Sequence, residues 1–310
     1  MTALAPVSFL VPAYNASDTL HEAVTSILDG NLLEGDEVII VDDGSTDDTL
    51  RIAHELERSS SAVRVTRHLR NKGSANAGRN TAADCAMHDL FLNLDADNRL
   101  LPGSVLALRE HLAAEQCDVV GFGSIDYFDH ATGAITQRWP MRPVITFLGN
   151  LNAPAETPGS SGNYLYTRDA WARAGRCPES VGAAWDSMAF TIDLLGTGST
   201  FHTVPGTSYL HRVGTDSAFI RDARRHNQSL LFLEMILPYL DQLHPDDVDH
   251  IMSPDARTSW AELLDVRPLR APDGATERGR TNIAHRELPA GEILGMLWAK
   301  VRRRVPLLRR

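Results

Sequence analysis

Through the first 125 residues short β-rich runs alternate with amphipathic stretches, and that alternation restricts the chain to a largely parallel sheet flanked by helices. The runs are Val7–Val11, Val38–Val41, Val63–Thr66, Phe91–Leu94 and Val119–Phe122. Between the first two, Leu20, Ala23, Val24, Ile27 and Leu28 recur at helical spacing, and Ser17 is expected to cap that helix. Thr46 and Gly103 are expected to open similar helices after the second and fourth runs.

Beyond Asp126 the pattern changes. The stretch to about Ser161, with its ATG, RWP and APAETPGSSG segments, predicts bent strands and a mobile loop. Order resumes with a strand at Tyr164–Thr167, a short helix at Asp169–Ala174 and a longer one at Asp186–Leu195. Residues 218–240 form a helical pattern in which Leu230, Leu231, Phe232, Leu233, Ile236 and Leu237 crowd enough to be buried nearly all round. Prolines at 245, 254, 268, 272 and 289 then predict a looser helical extension. The chain thus divides into residues 1–125, residues 126–217 as the other half of the same domain, and a helical extension over 218–310.

Charge and cysteine usage narrow the class. Thirty Lys and Arg against 40 Asp and Glu leave a net charge of −10, which opposes binding to nucleic acid. Cys85, Cys117 and Cys177 are too few and too scattered for a disulfide framework or a zinc CxxC pair, so a reducing, cytoplasmic setting is expected. The segment MTALAPVSFLVPAYN lacks a basic lead and is broken by Pro12, which makes it a strand rather than a signal peptide. No window offers the roughly 18 apolar residues of a membrane span.

In open α/β sheets ligands bind outside the carboxyl ends of the strands. There the first run is followed by Pro12-Ala13-Tyr14-Asn15, the second by Asp42-Asp43-Gly44-Ser45, and the fourth by Asp95-Ala96-Asp97-Asn98. Two carboxylate clusters on one edge repel unless a cation, a ligand or a proton lies between them. No phosphate-cradling glycine loop is present, so Asp-x-Asp at a strand end points to Mg²⁺ or Mn²⁺ completed by a ligand's phosphate oxygens, as at a nucleoside diphosphate. Taken singly, each motif is equally at home as a turn or a helix cap.

In this order and spacing, VSFLVPAYNASDTL, EVIIVDDGSTDDT, NKGSANAGRN and LNLDADNRLLPG resemble the family 2 glycosyltransferases of GT-A fold, specifically to about Leu101 and more weakly to about Ser217. The resemblance implies a nucleotide-sugar-binding half at 1–125 and an acceptor and catalytic half at 126–217. It implies that Tyr14 stacks on the donor base, that the backbone near Pro12 holds the base edge, and that Asp43 accepts hydrogen bonds from base or ribose. It makes Arg79 a contact to nucleotide or diphosphate, and Asp95 and Asp97 the DxD pair, with Asp97 the direct ligand of Mn²⁺ or Mg²⁺. The family's acidic pair is Trp185-Asp186 here, which leaves Asp186 as general base beside a tryptophan that either walls a sugar subsite or packs in the core. Arg212 falls in a slot that is His or Arg in the family and is expected to contact phosphate, because a guanidinium cannot ligate a metal ion. His211 beside it is a weaker candidate ligand.

The expected activity is transfer of a sugar, with inversion, from a nucleoside-diphosphate-sugar donor to a hydroxyl acceptor, implied to be a cell-surface glycan or lipid-linked saccharide. A metal-dependent nucleotidyltransferase and a catalytically inactive nucleotide-sugar-binding protein remain as alternatives. Gln137-Arg138-Trp139 resembles part of a polysaccharide-synthase motif but lacks its spacer and the membrane spans, and Asp246, Asp247, Asp249 and His250 read as an ordinary helix start. At the C-terminus Ile293, Leu294, Leu297, Trp298, Val301 and Val305 mark one helical face among Lys300, Arg302, Arg303, Arg304, Arg309 and Arg310. That pattern suits either peripheral contact with the anionic inner face of the plasma membrane or docking on the protein itself.

Overall fold

Every residue of β1 (Val7–Ala13) is buried, and so is every residue of the parallel strand beside it, β2 (Glu37–Asp42). Strands covered on both faces read as continuous apolar runs. Between them α1 (Leu20–Leu28) returns the chain, and α2 (Thr49–Ser59) leads on to β3 (Val63–Arg67) at the sheet edge. Next come α3 (Ala75–Cys85), β4 (Leu90–Asn93), the short β5 (Arg99–Leu100), α4 (Ser104–Glu115) and the long β6 (Val119–Asp129). A hairpin return, β7 (Ile135–Pro140), and β8 (Val144–Ile145) precede α5 (Phe147–Asn152), β9 (Tyr164–Thr167), α6 (Arg168–Arg173), α7 (Asp186–Gly196) and β10 (Phe201–Val213). A last helix, α8, spans Pro245–Met252. This computed structural model describes residues 4–181, 185–213, 232, 234–252 and 268–277.

The strand order is β3-β2-β1-β4-β9-β6-β10-β5, with β7 beside β6 and β8 beside β10. β1 to β4 run parallel, β9 is antiparallel to both β4 and β6, and β10 is again parallel to β6. Because successive side chains alternate faces, Val7, Phe9 and Val11 enter one apolar layer with Leu20, Val24, Ala53 and Leu108. Leu10, Ile39 and Val41 enter the other, with Ala82, Ala83, Ala170 and Phe190. The helix α3 lies especially close to β1: a Cβ on Gly78 would come within 2.8 Å of the Pro12 side chain. Glycine there lets α3, which carries Arg79, lie directly on the strand end.

Several local expectations are corrected. Ser17 does not cap α1; the N-cap is Thr19, and the Ser17 amide instead donates to Asp47. α2 begins at Thr49 behind Asp48 rather than at Thr46, whereas Gly103 does open α4. The segment read as a mobile loop is packed into the body, with Asn150, Asn152, Glu156 and Thr157 buried and Thr157 donating to Asn150 Oδ1. Of the helix expected over 218–240, residues 232 and 234–240 are described; Phe232, Met235 and Ile236 are buried, but Leu237 is exposed. The basic segment at 292–310 lies outside the described residues.

One buried ion pair fixes the edge of the first layer. Arg109, on α4, makes a two-pronged contact with Asp36, and both side chains are essentially unexposed. Asp36 also accepts from the amides of Val7 and Leu33, so it locks the turn before β2 to the start of β1. Replacing the cation strands a buried carboxylate. Arg109→Met should therefore cost about 3–5 kcal/mol, read as a lowered midpoint in urea or thermal unfolding.

Candidate active site

The carboxyl ends of β1, β2 and β4 lie side by side, and the polar motifs that follow them meet there. After β1, Tyr14 stands exposed, and Asn15, at φ +48°, ties its loop to the next by accepting from the Thr46 amide. After β2, Asp43 is buried and already engaged within the protein: it pairs with His68 at 2.6 Å and accepts from the Lys72 amide. Pro12 is buried at the end of β1.

After β4 the chain turns through Asp95, Ala96, Asp97 and Asn98 into β5, laid against the far end of β10. Arg212 of β10 is the clamp of this turn. Its Nε donates to the Asp97 carbonyl, its amide donates to Asn98 Oδ1, and its guanidinium reaches Glu22 and covers the Phe128 ring. Arg212 is thus buried among protein groups and holds the backbone of Asp97.

The Asp97 carboxyl is pushed up to about 6, first by burial and then by the charge of Asp95. No protein side chain donates to it among the described residues. A recessed carboxylate held at a raised value beside a second carboxylate fits a hard divalent cation, which would supply the missing positive charge. His211, next to Arg212, is lowered by burial, with the charge of Asp95 opposing, and its ring packs against Tyr127 and Tyr209.

The centre of the site is Arg79. Helical spacing puts Asn76, Arg79 and Asn80 on one buried face of α3. Arg79 Nη2 donates to Asp95 at 2.7 Å, and Nη1 donates to Asn76 Oδ1 at 2.7 Å and lies 3.5 Å from Asp186 Oδ2. Burial works against the charge of Arg79, yet Asp186 and Asp95 hold it well above its ordinary value. Arg79 is therefore not a surface ion pair. It bridges the first half of the sequence to the second.

Asp186 is the first residue of α7 and is buried. Burial raises its carboxyl above the ordinary aspartate value; Arg79 counters this and Asp95 adds to it. Trp185, the N-cap, packs partly buried against the cluster around Leu151, Met188 and Phe232. The three motif positions Asp95, Arg79 and Asp186 thus converge, with Asp97, His211 and Arg212 on the Asp95 side.

Residues not anticipated from sequence complete the frame. Asn76 donates to the carbonyls of Pro178 and Asp186, and Asn80 brackets Cys177 by accepting from its amide and donating to its carbonyl. Asn80 also donates to Glu179 at 2.7 Å. Asn163, just ahead of β9, accepts from the Asp95 amide and donates to its carboxylate. At Gly162, φ +71°, a Cβ would fall 2.4 Å from Ser187 Oγ and 3.2 Å from Arg79, so only glycine lets α7 approach the arginine. A signal existed for Asn76 and Asn80, which share the NAGRN stretch with Arg79; none existed for Asn163 and Gly162.

The fold and this edge define an α/β sheet whose polar motifs gather at the ends of β1, β2 and β4, with a carboxylate brought in from α7. Residues 8–174 match the family model for glycosyl transferase family 2, and the chain belongs to that family. The succinoglycan biosynthesis protein ExoU of Rhizobium meliloti is 40% identical over 105 residues, 33% of this chain and 30% of that protein. The glycosyltransferase GlyG of Streptococcus pneumoniae is 31% identical over 127 residues, 41% of each chain. The chain thus matches well under two thirds of the length of these relatives. Among solved structures, TarS 1–349 of S. aureus in complex with UDP-GlcNAc aligns with a TM-score of 0.64 at 18% identity, over 80% of this chain and 70% of that one, a likeness of fold of the GT-A kind.

Because Arg79 holds the Asp186 carboxyl down against burial, removing the charge should move it further up. A carboxyl-detected NMR titration should place Asp186 above the ordinary 3.8 in the parent protein and higher again in Arg79→Met.

Proposed function

We propose that the protein is an inverting glycosyltransferase that moves a sugar from a nucleoside-diphosphate-sugar to a hydroxyl acceptor. The observation that carries this reading is the Arg79 bridge, which joins the DxD carboxylate Asp95 to Asp186 and so ties a donor-side group to a buried carboxylate across one narrow site. Family membership and the fold shared with a UDP-GlcNAc-bound structure support a nucleotide-sugar as donor.

In this reading Tyr14 offers its ring to the base, with the Pro12 backbone at the base edge. Asp43, fixed by His68 and Lys72, presents its remaining acceptor capacity to base or ribose. Asp97, with Asp95 and His211 beside it, would hold Mn²⁺ or Mg²⁺, which neutralises charge on the departing diphosphate. Arg212 keeps the Asp97 backbone in register, and Arg79 orients both Asp95 and Asp186. Asp186 takes the proton from the acceptor hydroxyl while the acceptor oxygen attacks the anomeric carbon opposite the leaving diphosphate, so configuration inverts in one displacement. A raised carboxyl in a dry setting is a better base than an exposed aspartate.

The acceptor we propose is a cell-surface glycan or lipid-linked saccharide, in line with a relative named for succinoglycan biosynthesis. No helix among the described residues is long and apolar enough to cross a membrane. We assign the basic stretch at 292–310 to peripheral contact with an anionic inner leaflet on its sequence alone. Binding to anionic vesicles should weaken as salt rises and vanish when residues 292–310 are deleted; unchanged sedimentation of the truncated chain would refute the assignment.

The chemistry is tested by incubating the protein with UDP-, dTDP- and GDP-sugars with and without Mn²⁺. Release of nucleoside diphosphate supports transfer, and release of pyrophosphate would favour a nucleotidyltransferase. Asp186→Asn keeps shape and removes basicity, so transfer should fall roughly 10²–10⁴-fold while donor affinity holds. Asp97→Ala should abolish metal-dependent donor binding in isothermal titration and leave the thermal midpoint of the unliganded protein nearly unchanged.

A further inference from the structure

At the amino ends of β6 and β10, on the edge opposite the carboxylates, three side chains suited to a softer metal converge. His111 comes from the last turns of α4, Cys117 from the link between α4 and β6, and His202 from the second position of β10. Their ligand atoms all lie within 4.8 Å of one another. We infer that His111, Cys117 and His202 form a three-ligand site, open to water at its fourth position, for one zinc-class transition-metal ion that links α4 to β10.

The spacing of the two imidazoles carries the argument. His111 Nε2 lies 3.3 Å from His202 Nδ1. Two nitrogens each about 2.0–2.1 Å from a tetrahedral ion lie about 3.3–3.4 Å apart, so the pair already spans one edge of a zinc tetrahedron. As a hydrogen bond between rings the same separation is long, beyond the usual 2.7–3.2 Å range. The rings meet edge-on, 67° from coplanar, rather than stacked.

The third ligand lies where a thiol has no other task. Cys117 is buried and forms no disulfide. The nearest carboxylate in sequence, Asp118, is held by Arg173 and by the amide and hydroxyl of Thr200, so it does not compete. One sulfur with two imidazoles selects zinc or copper over the magnesium and manganese suited to the all-oxygen DxD turn. Three protein ligands leave a fourth position for water. From His202 to His211 is nine residues of strand, on the order of 25–30 Å, so the ion would brace the sheet and take no part in sugar transfer. Binding must deprotonate the thiol, so one proton leaves as the ion enters.

The test uses the full chain freed of any affinity tag. Zinc is titrated against a chromophoric chelator, and Co²⁺ is added separately as a spectroscopic probe. The parent should bind one equivalent of zinc, show a thiolate-to-cobalt charge-transfer band, and gain thermal midpoint with free zinc. Cys117→Ser should lose the band, and His111→Asn and His202→Asn should each weaken zinc binding by more than the roughly 10–100-fold that a lost supporting contact costs. The partly exposed histidines serve as second variants should the buried Cys117→Ser unfold. Asp97→Ala should bind zinc as the parent does. Failure of the parent to bind, or binding that survives Cys117→Ser and disappears in Asp97→Ala, overturns the proposal.

Discussion

Arg79 holds this active edge together. Three carboxylates, Asp95, Asp97 and Asp186, crowd a region where burial disfavours charge, and without a cation among them their repulsion would open the site. The guanidinium is the right group for the task because its planar fork can serve Asp95 on one nitrogen and face Asp186 from another, while Asn76 takes up a further donor. Its position follows in turn from Gly78 against Pro12 and Gly162 against Ser187, where a Cβ would push α3 off β1 and α7 off the loop before β9.

The arrangement divides labour among the residues expected to bind a ligand. Asp43 and Arg212 face protein partners and set backbone; Tyr14 remains exposed, and among the described residues no side chain donates to the Asp97 carboxylate. A site that satisfies its own supporting groups before a ligand arrives has little reorganisation left to do, the condition under which fixed charges are most effective.

The parallel half was legible in sequence because its signal is local: each strand is an apolar run, and each functional motif directly follows one. Convergence of Asp95, Arg79 and Asp186 was reachable through family resemblance, yet the direct pairing of Arg79 with both carboxylates was not, since ion pairs between distant segments leave no periodic trace. The stretch from Asp126 to Ser161 misled for a related reason. Its polar and Pro-rich composition suggests an exposed loop, but Asn152 donates to the Leu269 carbonyl and Thr157 to Asn150, satisfying inside the protein what composition alone assigns to water. Ser17 is not the cap: its amide is held by Asp47 of the neighbouring loop, and the regular helix starts behind Thr19. His111, Cys117 and His202 share no motif spacing and meet only because β10 returns to lie beside β6.

The placement of β9 bears on how such a molecule is made. It enters the sheet between β4 and β6 and pairs with both, although it follows β6 in the chain, and β10 then closes the other flank of β6. As the polypeptide emerges from the ribosome, β4 and β6 therefore wait with unsatisfied backbone until residues 164–167 arrive. Such distant pairings slow folding, and the open edges are places where a second nascent chain can add. The strand that brings Asn163 to Asp95 is thus also the one whose late arrival sets the interval during which the chain is most exposed to misassembly.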